Sequence, residues 1–167
     1  MRFQDSHLGR LRSLLGPVPL LVPGALVVVE DRSGRLLLQQ RVDDHEWEIP
    51  AGSCEPGQSF AATAVTELRE ETGLEAAERD LVPFACLSDP AEHTIVYPNG
   101  DVVLAYAMCF LLTGVDAAAV EPRPDGVETR SVGWYPAHGL PAPVRSGTRS
   151  VLDLLGRFHA TGTFQAR

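Results

Sequence analysis

The segment Val102–Val115, V-V-L-A-Y-A-M-C-F-L-L-T-G-V, carries no charged residue and no proline. A strand that is apolar at consecutive positions, not alternate ones, leaves no face for water, so both sides of its sheet must be covered. This requirement favours a layered architecture with helices on both faces of a sheet. Two amphipathic segments are suited to that task, residues 59–72 and 146–159. The expected fold class is therefore α+β, a sandwich with a mixed sheet between one helix on each side.

Other strands follow from short-range signals. A-L-V-V-V-E (25–30), D-R-S-G (31–34) and R-L-L-L-Q-Q-R (35–41) read as two strands joined by a glycine-containing turn. W-E-I-P-A-G (47–52) reads as a short strand stopped by Pro50 and Gly52, and Leu81–Leu87 as another. Asn99-Gly100 is a hairpin signal, because both positions tolerate positive φ. Residues 116–130, rich in proline, glycine and acids, form a long loop before a strand at Val132–Tyr135. A short helix is expected over residues 7–15, closed by Gly16-Pro17. No repeat or linker divides the 167 residues, so one domain is expected.

Composition narrows function by exclusion. The formal net charge is −8, which would repel nucleic acid over most of the surface. All 14 basic residues are arginines. Cys54, Cys86 and Cys109 are far apart and show no zinc spacing, so free thiols are expected. The longest uncharged stretch, Leu14–Val29, is too short and too broken by proline and glycine to span a membrane. Arg10 and Arg12 interrupt any early apolar run of a signal peptide, so a cytoplasmic protein is expected.

The chemistry concentrates in E-L-R-E-E-T-G-L (67–74). Ser59 and Gly73 are suited to begin and end its helix. Ala61, Ala64, Val65 and Leu68 form the expected buried stripe, which leaves Glu67, Glu70 and Glu71 together on an arc away from it. Like charges at this spacing repel. Either they form a solvated face, or three carboxylates facing a tight glycine turn form an oxygen-only site for a cation such as Mg²⁺ or Mn²⁺.

The segment resembles the Nudix box, G-x5-E-x7-R-E-U-x-E-E-x-G-U with U aliphatic. Gly52, Glu67-Leu68, Glu70-Glu71 and Gly73-Leu74 match in register. Gln58 and Thr66 depart, standing where the pattern has glutamate and arginine. The preceding hairpin, the W-E-I-P-A-G strand, S-D-P (88–90) and Y-P-N-G-D (97–101) are also similar to a bacterial branch of the family. The resemblance implies a Nudix-type α/β/α sandwich. It implies Mg²⁺ or Mn²⁺ held by Glu67, Glu70, Glu71 and the Ala51 carbonyl, and hydrolysis of a pyrophosphate bond in a nucleoside diphosphate linked to another moiety.

Thr66 lacks the forked contact of an arginine, and Gln58 removes a negative charge that Glu55 is placed to replace in part. A weakened enzyme and a nucleotide-binding sensor without turnover both stay open. The resemblance also calls for an acid from a late loop, and Glu128 in P-D-G-V-E-T-R is the candidate, with Asp125 nearby. Arg41 is a candidate phosphate contact. Tyr97 and Tyr106 are expected to pack within the sheet, Trp47 to enter the core, and the five histidines are given no role. The implied partner is a small-molecule nucleotide, with no nucleic acid and no membrane. A homodimer would form through the N-terminal segment.

Overall fold

The computed structural model describes residues 3–97 and 99–167. In chain order its elements are α1 (His7–Leu15), β1 (Leu20–Asp31), β2 (Arg35–Arg41), β3 (Trp47–Glu48), β4 (Ala51–Ser53) and α2 (Phe60–Thr72). There follow β5 (Val82–Leu87), α3 (Pro90–His93), β6 (Thr94–Val96), β7 (Val102–Val115), β8 (Thr129–Pro136), α4 (Ser146–Thr161) and β9 (Gln165–Ala166). The sheet runs β3-β2-β1-β7-β5-β9, with β4 paired to β1, β6 to β7 and β8 to β2. It is mixed: β1 runs parallel to β7 and β5 to β9, while the remaining pairs are antiparallel.

Strand alternation sorts the core into two layers. Ala25, Val27, Val29, Phe110 and Leu112 face α2 through its Ala64 and Leu68. Leu26, Val28, Cys109 and Leu111 face α4 through its Val151, Leu154 and Leu155. The three-layer arrangement is the one expected from the sequence. Full burial of β7 on both faces, however, extends only over Cys109–Leu112. Its first half is partly open, because α4 and α2 do not reach across that end of the sheet and a cavity lies there instead.

Several expectations need correction. β1 begins at Leu20, ahead of Pro23 and Gly24, because its parallel ladder with β7 starts at the Leu20–Val103 pair. The W-E-I-P-A-G segment is two strands: Trp47–Glu48 pairs with β2, and after Pro50 the chain crosses to pair Ala51–Ser53 with β1. Gly52 lies inside β4 and does not stop it. At the hairpin, Val96 pairs with Val102, and the Tyr97 amide donates to the Asp101 carbonyl. In this connection Gly100 takes the positive φ. The long loop ends at Glu128, since β8 pairs with β2 from Thr129 onward. The four-residue α3, capped by the Asp89 side chain, and the edge strand β9 were not foreseen.

Trp47 enters the core as expected, 8% exposed, with its ring 5.0 Å from that of Tyr135 and nearly perpendicular to it. Tyr97 does not pack within the sheet but stands exposed beside the hairpin, while Tyr106 is half-buried on β7. All three cysteines are free. Among the described residues, no helix is long and apolar enough to cross a membrane.

Candidate active site

Helix α2 is set by its ends and its packing. The Ser59 hydroxyl accepts from the Ala62 amide at 2.9 Å. Gly73 closes the helix at φ +70°, its amide donating to the Arg69 carbonyl. The side chains of Ala64 and Leu68 are fully buried and fix which face meets the sheet. With about 100° between successive residues, three steps from Leu68 return Glu71 to the inward face. Glu67 then points sideways toward β4 and Glu70 outward. The three keep the expected shared arc and line one cavity, but its depth is graded: Glu71 is 4% exposed, Glu67 half-buried and Glu70 exposed. Thr63 and Thr72 join the buried face, whereas Ala61 and Val65 are only partly covered.

Each buried carboxylate has a built setting. The Ala51 amide donates to Glu71 Oε2 at 3.1 Å, and the Gln39 side chain bonds the same carboxyl. Gln39 is itself buried and accepts from the Thr129 hydroxyl, so β2, β4, β8 and α2 meet around Glu71. Glu67 lies over Gly52 so closely that a Cβ there would sit 2.2 Å from its carboxyl carbon. The glycine leaves room for this approach and does not serve a turn; a side chain there would displace the Glu67 carboxyl.

Burial, followed by the charges of Glu70, Glu128 and Glu55, pushes the Glu67 carboxyl up to about 7. Burial lifts Glu71 well above the usual carboxylate range, with Glu67 and Glu48 adding to the effect. Across the cleft, Asp125 accepts from the amides of Val127, Glu128 and Thr129 and so shapes the turn that presents Glu128. The Val42 amide bonds the Glu128 carbonyl and ties this turn to the end of β2.

The two departures from the box take different forms. Gln58 has become a staple: its side-chain oxygen accepts from the Glu55 amide at 3.0 Å and the Thr63 hydroxyl at 3.1 Å. Nothing in the structure explains Thr66. Glu55 does not simply replace the missing acid. It accepts from the His7 amide at 2.7 Å and lies 3.8 Å from Arg10, so it holds α1 against the loop before α2.

Arg41 is not an unengaged phosphate ligand. Asp43 and Glu48 hold its guanidinium at 2.8 and 3.2 Å. Glu48, nearly buried, bridges from Arg41 to Arg145, which lies 3.1 Å away at the start of α4.

Two cavities meet here. One, of about 660 Å³, contains Glu55, Glu67, Glu70, Glu71, Asp125 and Glu128. The other, of about 670 Å³, lies between the open half of β7, the hairpin and the start of α4. Leu8, Arg41, Ala51, Gly52, Ser53 and Tyr97 line both. Leu8, Glu48 and Arg145 are site residues the sequence reading missed. Glu48 carried the only available signal, a lone acid inside a segment otherwise apolar and headed for the core.

Among the described residues, no three histidine, cysteine or acidic side chains converge as a ready metal-binding group. The donor chemistry nonetheless suits a hard cation, since the groups are all oxygen and Glu67 is crowded by like charges that a cation would relieve. The Ala51 amide leaves β4 on the edge away from β1, and its carbonyl shares that edge.

The architecture is a mixed sheet between two helical layers, with clustered carboxylates of one helix above a glycine of the sheet, which places the protein in the class of α+β sandwiches with an acid-lined cleft. The comparisons agree. The NUDIX domain model matches residues 20–155, and the chain belongs to the Nudix family. A Bacillus subtilis protein provisionally called an ADP-ribose pyrophosphatase is 30% identical over 76% of this chain and 57% of its own length. An RNA pyrophosphohydrolase of Sphingopyxis alaskensis is 34% identical over 36% of this chain. The chain spans 32% to 39% of the length of the first curated relatives it matches. Among solved structures, a MutT Nudix hydrolase from Burkholderia pseudomallei superposes with a TM-score of 0.65 at 20% identity, covering 81% of this chain and 98% of its own. An ADP-ribose pyrophosphatase from Streptococcus suis gives 0.59 at 22%, covering 87% and 98%.

Proposed function

We propose that the protein hydrolyses a pyrophosphate bond in a nucleoside diphosphate linked to another moiety, with Mg²⁺ or Mn²⁺. The observation that carries this reading is the Glu67 carboxylate, half-buried on Gly52 and crowded by Glu70, Glu128 and Glu55 beside a large cavity. Glu67 and Glu70, with Glu71 and the Ala51 carbonyl, would hold the cation. When bound, it supplies charge neutralisation of the diphosphate and acidification of water. Glu71 braces β4 through the Ala51 amide and so sets the distance between that carbonyl and α2. Glu128, presented from the opposite wall, accepts the proton as the water oxygen attacks phosphorus. The bond to the bridging oxygen then breaks, giving two phosphorylated products. The adjoining cavity receives the nucleoside, and Tyr97 and Leu8 stand at the junction.

A binding module without turnover is the second reading, favoured by Gln58 acting as a loop staple and by Glu71 committing an oxygen to an amide. One experiment separates the two. The protein is screened against ADP-ribose, dinucleotides, sugar nucleotides and nucleoside triphosphates with Mg²⁺ and Mn²⁺, and both binding and phosphate products are measured. Metal-dependent products support the enzyme. Binding without products supports the sensor, and the absence of both binding and products overturns the nucleotide reading.

A further inference from the structure

Gln39 and Thr129 are polar side chains buried to 1% exposure. Three leucines precede Gln39 on β2, and Leu37, two residues earlier and so on the same face, packs with Ala64 and Leu68 of α2. Val132, which pairs with Gln39 across the β2–β8 ladder, packs there too. Gln39 therefore points at α2, where its side chain bonds the Glu71 carboxyl. Its Oε1 accepts from the hydroxyl of Thr129, the first residue of β8. Burying two such groups is costly unless each finds a partner, and an apolar pair of the same shape would fill the layer without that requirement.

The hydrogen bonds run in one direction. The Thr129 hydroxyl donates to Gln39 Oε1, which leaves the Gln39 amide nitrogen to donate to Glu71, and the Ala51 amide donates to Glu71 Oε2 at 3.1 Å. Burial disfavours the charge of Glu71, and these donors from β2 and β4 oppose that effect. Thr129 is itself fixed: its amide donates to Asp125 at 2.9 Å, and its carbonyl accepts from the Gly126 amide at 3.0 Å. Groups that orient a metal-ligating carboxylate from behind are typically worth about 10- to 100-fold in metal affinity or activity.

We propose that Gln39 and Thr129 are positioning residues, which together hold the Glu71 carboxylate in the orientation that serves a divalent cation. This rests on the reading of the carboxylate cleft as a metal site. Neither residue touches the cation, and Thr129 acts through Gln39.

The test is calorimetric titration of the full chain with Mn²⁺ alone. Wild type is compared with Gln39→Leu, Thr129→Val and Thr129→Ser, and each change is repeated in the Glu71→Gln background. Melting temperatures in chelator show whether each variant is folded. Gln39→Leu should bind Mn²⁺ about tenfold more weakly, and Thr129→Val at least about threefold more weakly. Thr129→Ser keeps the hydroxyl and should bind nearly as wild type does. In the Glu71→Gln background the same changes should have little further effect, because the group they orient has gone.

An unchanged Mn²⁺ affinity in folded Gln39→Leu or Thr129→Val, whatever the melting temperature, reduces that residue to a role in stability. It overturns the proposal and leaves the metal site standing. So does a loss that persists in full in the Glu71→Gln background, or one that Thr129→Ser does not restore. If Glu71→Gln binds Mn²⁺ too weakly to measure, the contrast between Thr129→Val and Thr129→Ser decides, and it decides equally if Gln39→Leu is unfolded. If the wild type binds no Mn²⁺, the metal site and this proposal fall together.

Discussion

Replacing Glu67 with glutamine keeps the shape that packs on Gly52 but removes a charge. In the folded protein its carboxyl titrates at about 7, against an ordinary value of 4.5. The folded state therefore holds this proton more tightly than the unfolded chain, and folding is favoured below the unfolded value. That advantage is lost as the pH rises from about 4.5 to about 7. With about 1.4 kcal/mol for each pH unit of separation, the wild type should lose about 2 to 3 kcal/mol at this site between about pH 5 and about pH 8. For a chain of this size that corresponds to a fall of roughly 4–12 °C in Tm.

The assay is urea denaturation in a chelator at the two pH values, followed by the fluorescence of Trp47 and Trp134. In Glu67→Gln the pH-dependent loss should shrink by that amount, making the metal-free variant more stable than wild type at the higher pH. Adding Mn²⁺ at the higher pH should reverse the order, because a cation held by the native carboxylates stabilises the wild type more. Parallel pH dependences in the two proteins would refute the claim that Glu67 carries buried, mutually repelled charge. A variant less stable than wild type in chelator at the higher pH would refute it equally.

Other perturbations probe the same site. Gly52→Ala places a methyl group where the Glu67 carboxyl lies, so activity should fall by roughly 100-fold in a protein whose far-UV circular dichroism is unchanged. Glu128→Gln should lower kcat by at least about tenfold, as expected for a lost general base. Asp125→Asn should cost less in the same kinetic assay, because its remaining oxygen can still accept from the three loop amides, whereas Asp125→Ala should release the turn and approach the Glu128 defect. Gln58→Glu combined with Thr66→Arg retains an oxygen for the Glu55 and Thr63 contacts and adds charge near the cleft. The double variant should reach half-maximal activity at a several-fold lower Mn²⁺ concentration, and an unchanged metal titration would count against Gln58 as the limiting position.

Local chemistry explains what could be read in the chain alone. The uncharged run at Val102–Val115 demanded cover on both faces, Ser59 and Gly73 bounded α2, and the register of Gly52, Glu67, Glu70, Glu71 and Gly73 carried the family resemblance. These signals depend on neighbours a few residues apart, so they survive without a structure. The depth of each glutamate does not. Periodicity grouped Glu67, Glu70 and Glu71 on one arc, but only the packing of Ala64 and Leu68 against the sheet decided that the Glu71 side of that arc is buried, where Ala51 and Gln39 meet it. The sequence likewise offers no reason to place Leu8 or Arg145 beside the cleft. Their positions follow from pairing β7 with β1 and β6, from Glu55 holding α1, and from Glu48 joining Arg41 to Arg145. Such contacts join residues distant in the chain, and only the tertiary fold brings them within hydrogen-bonding reach.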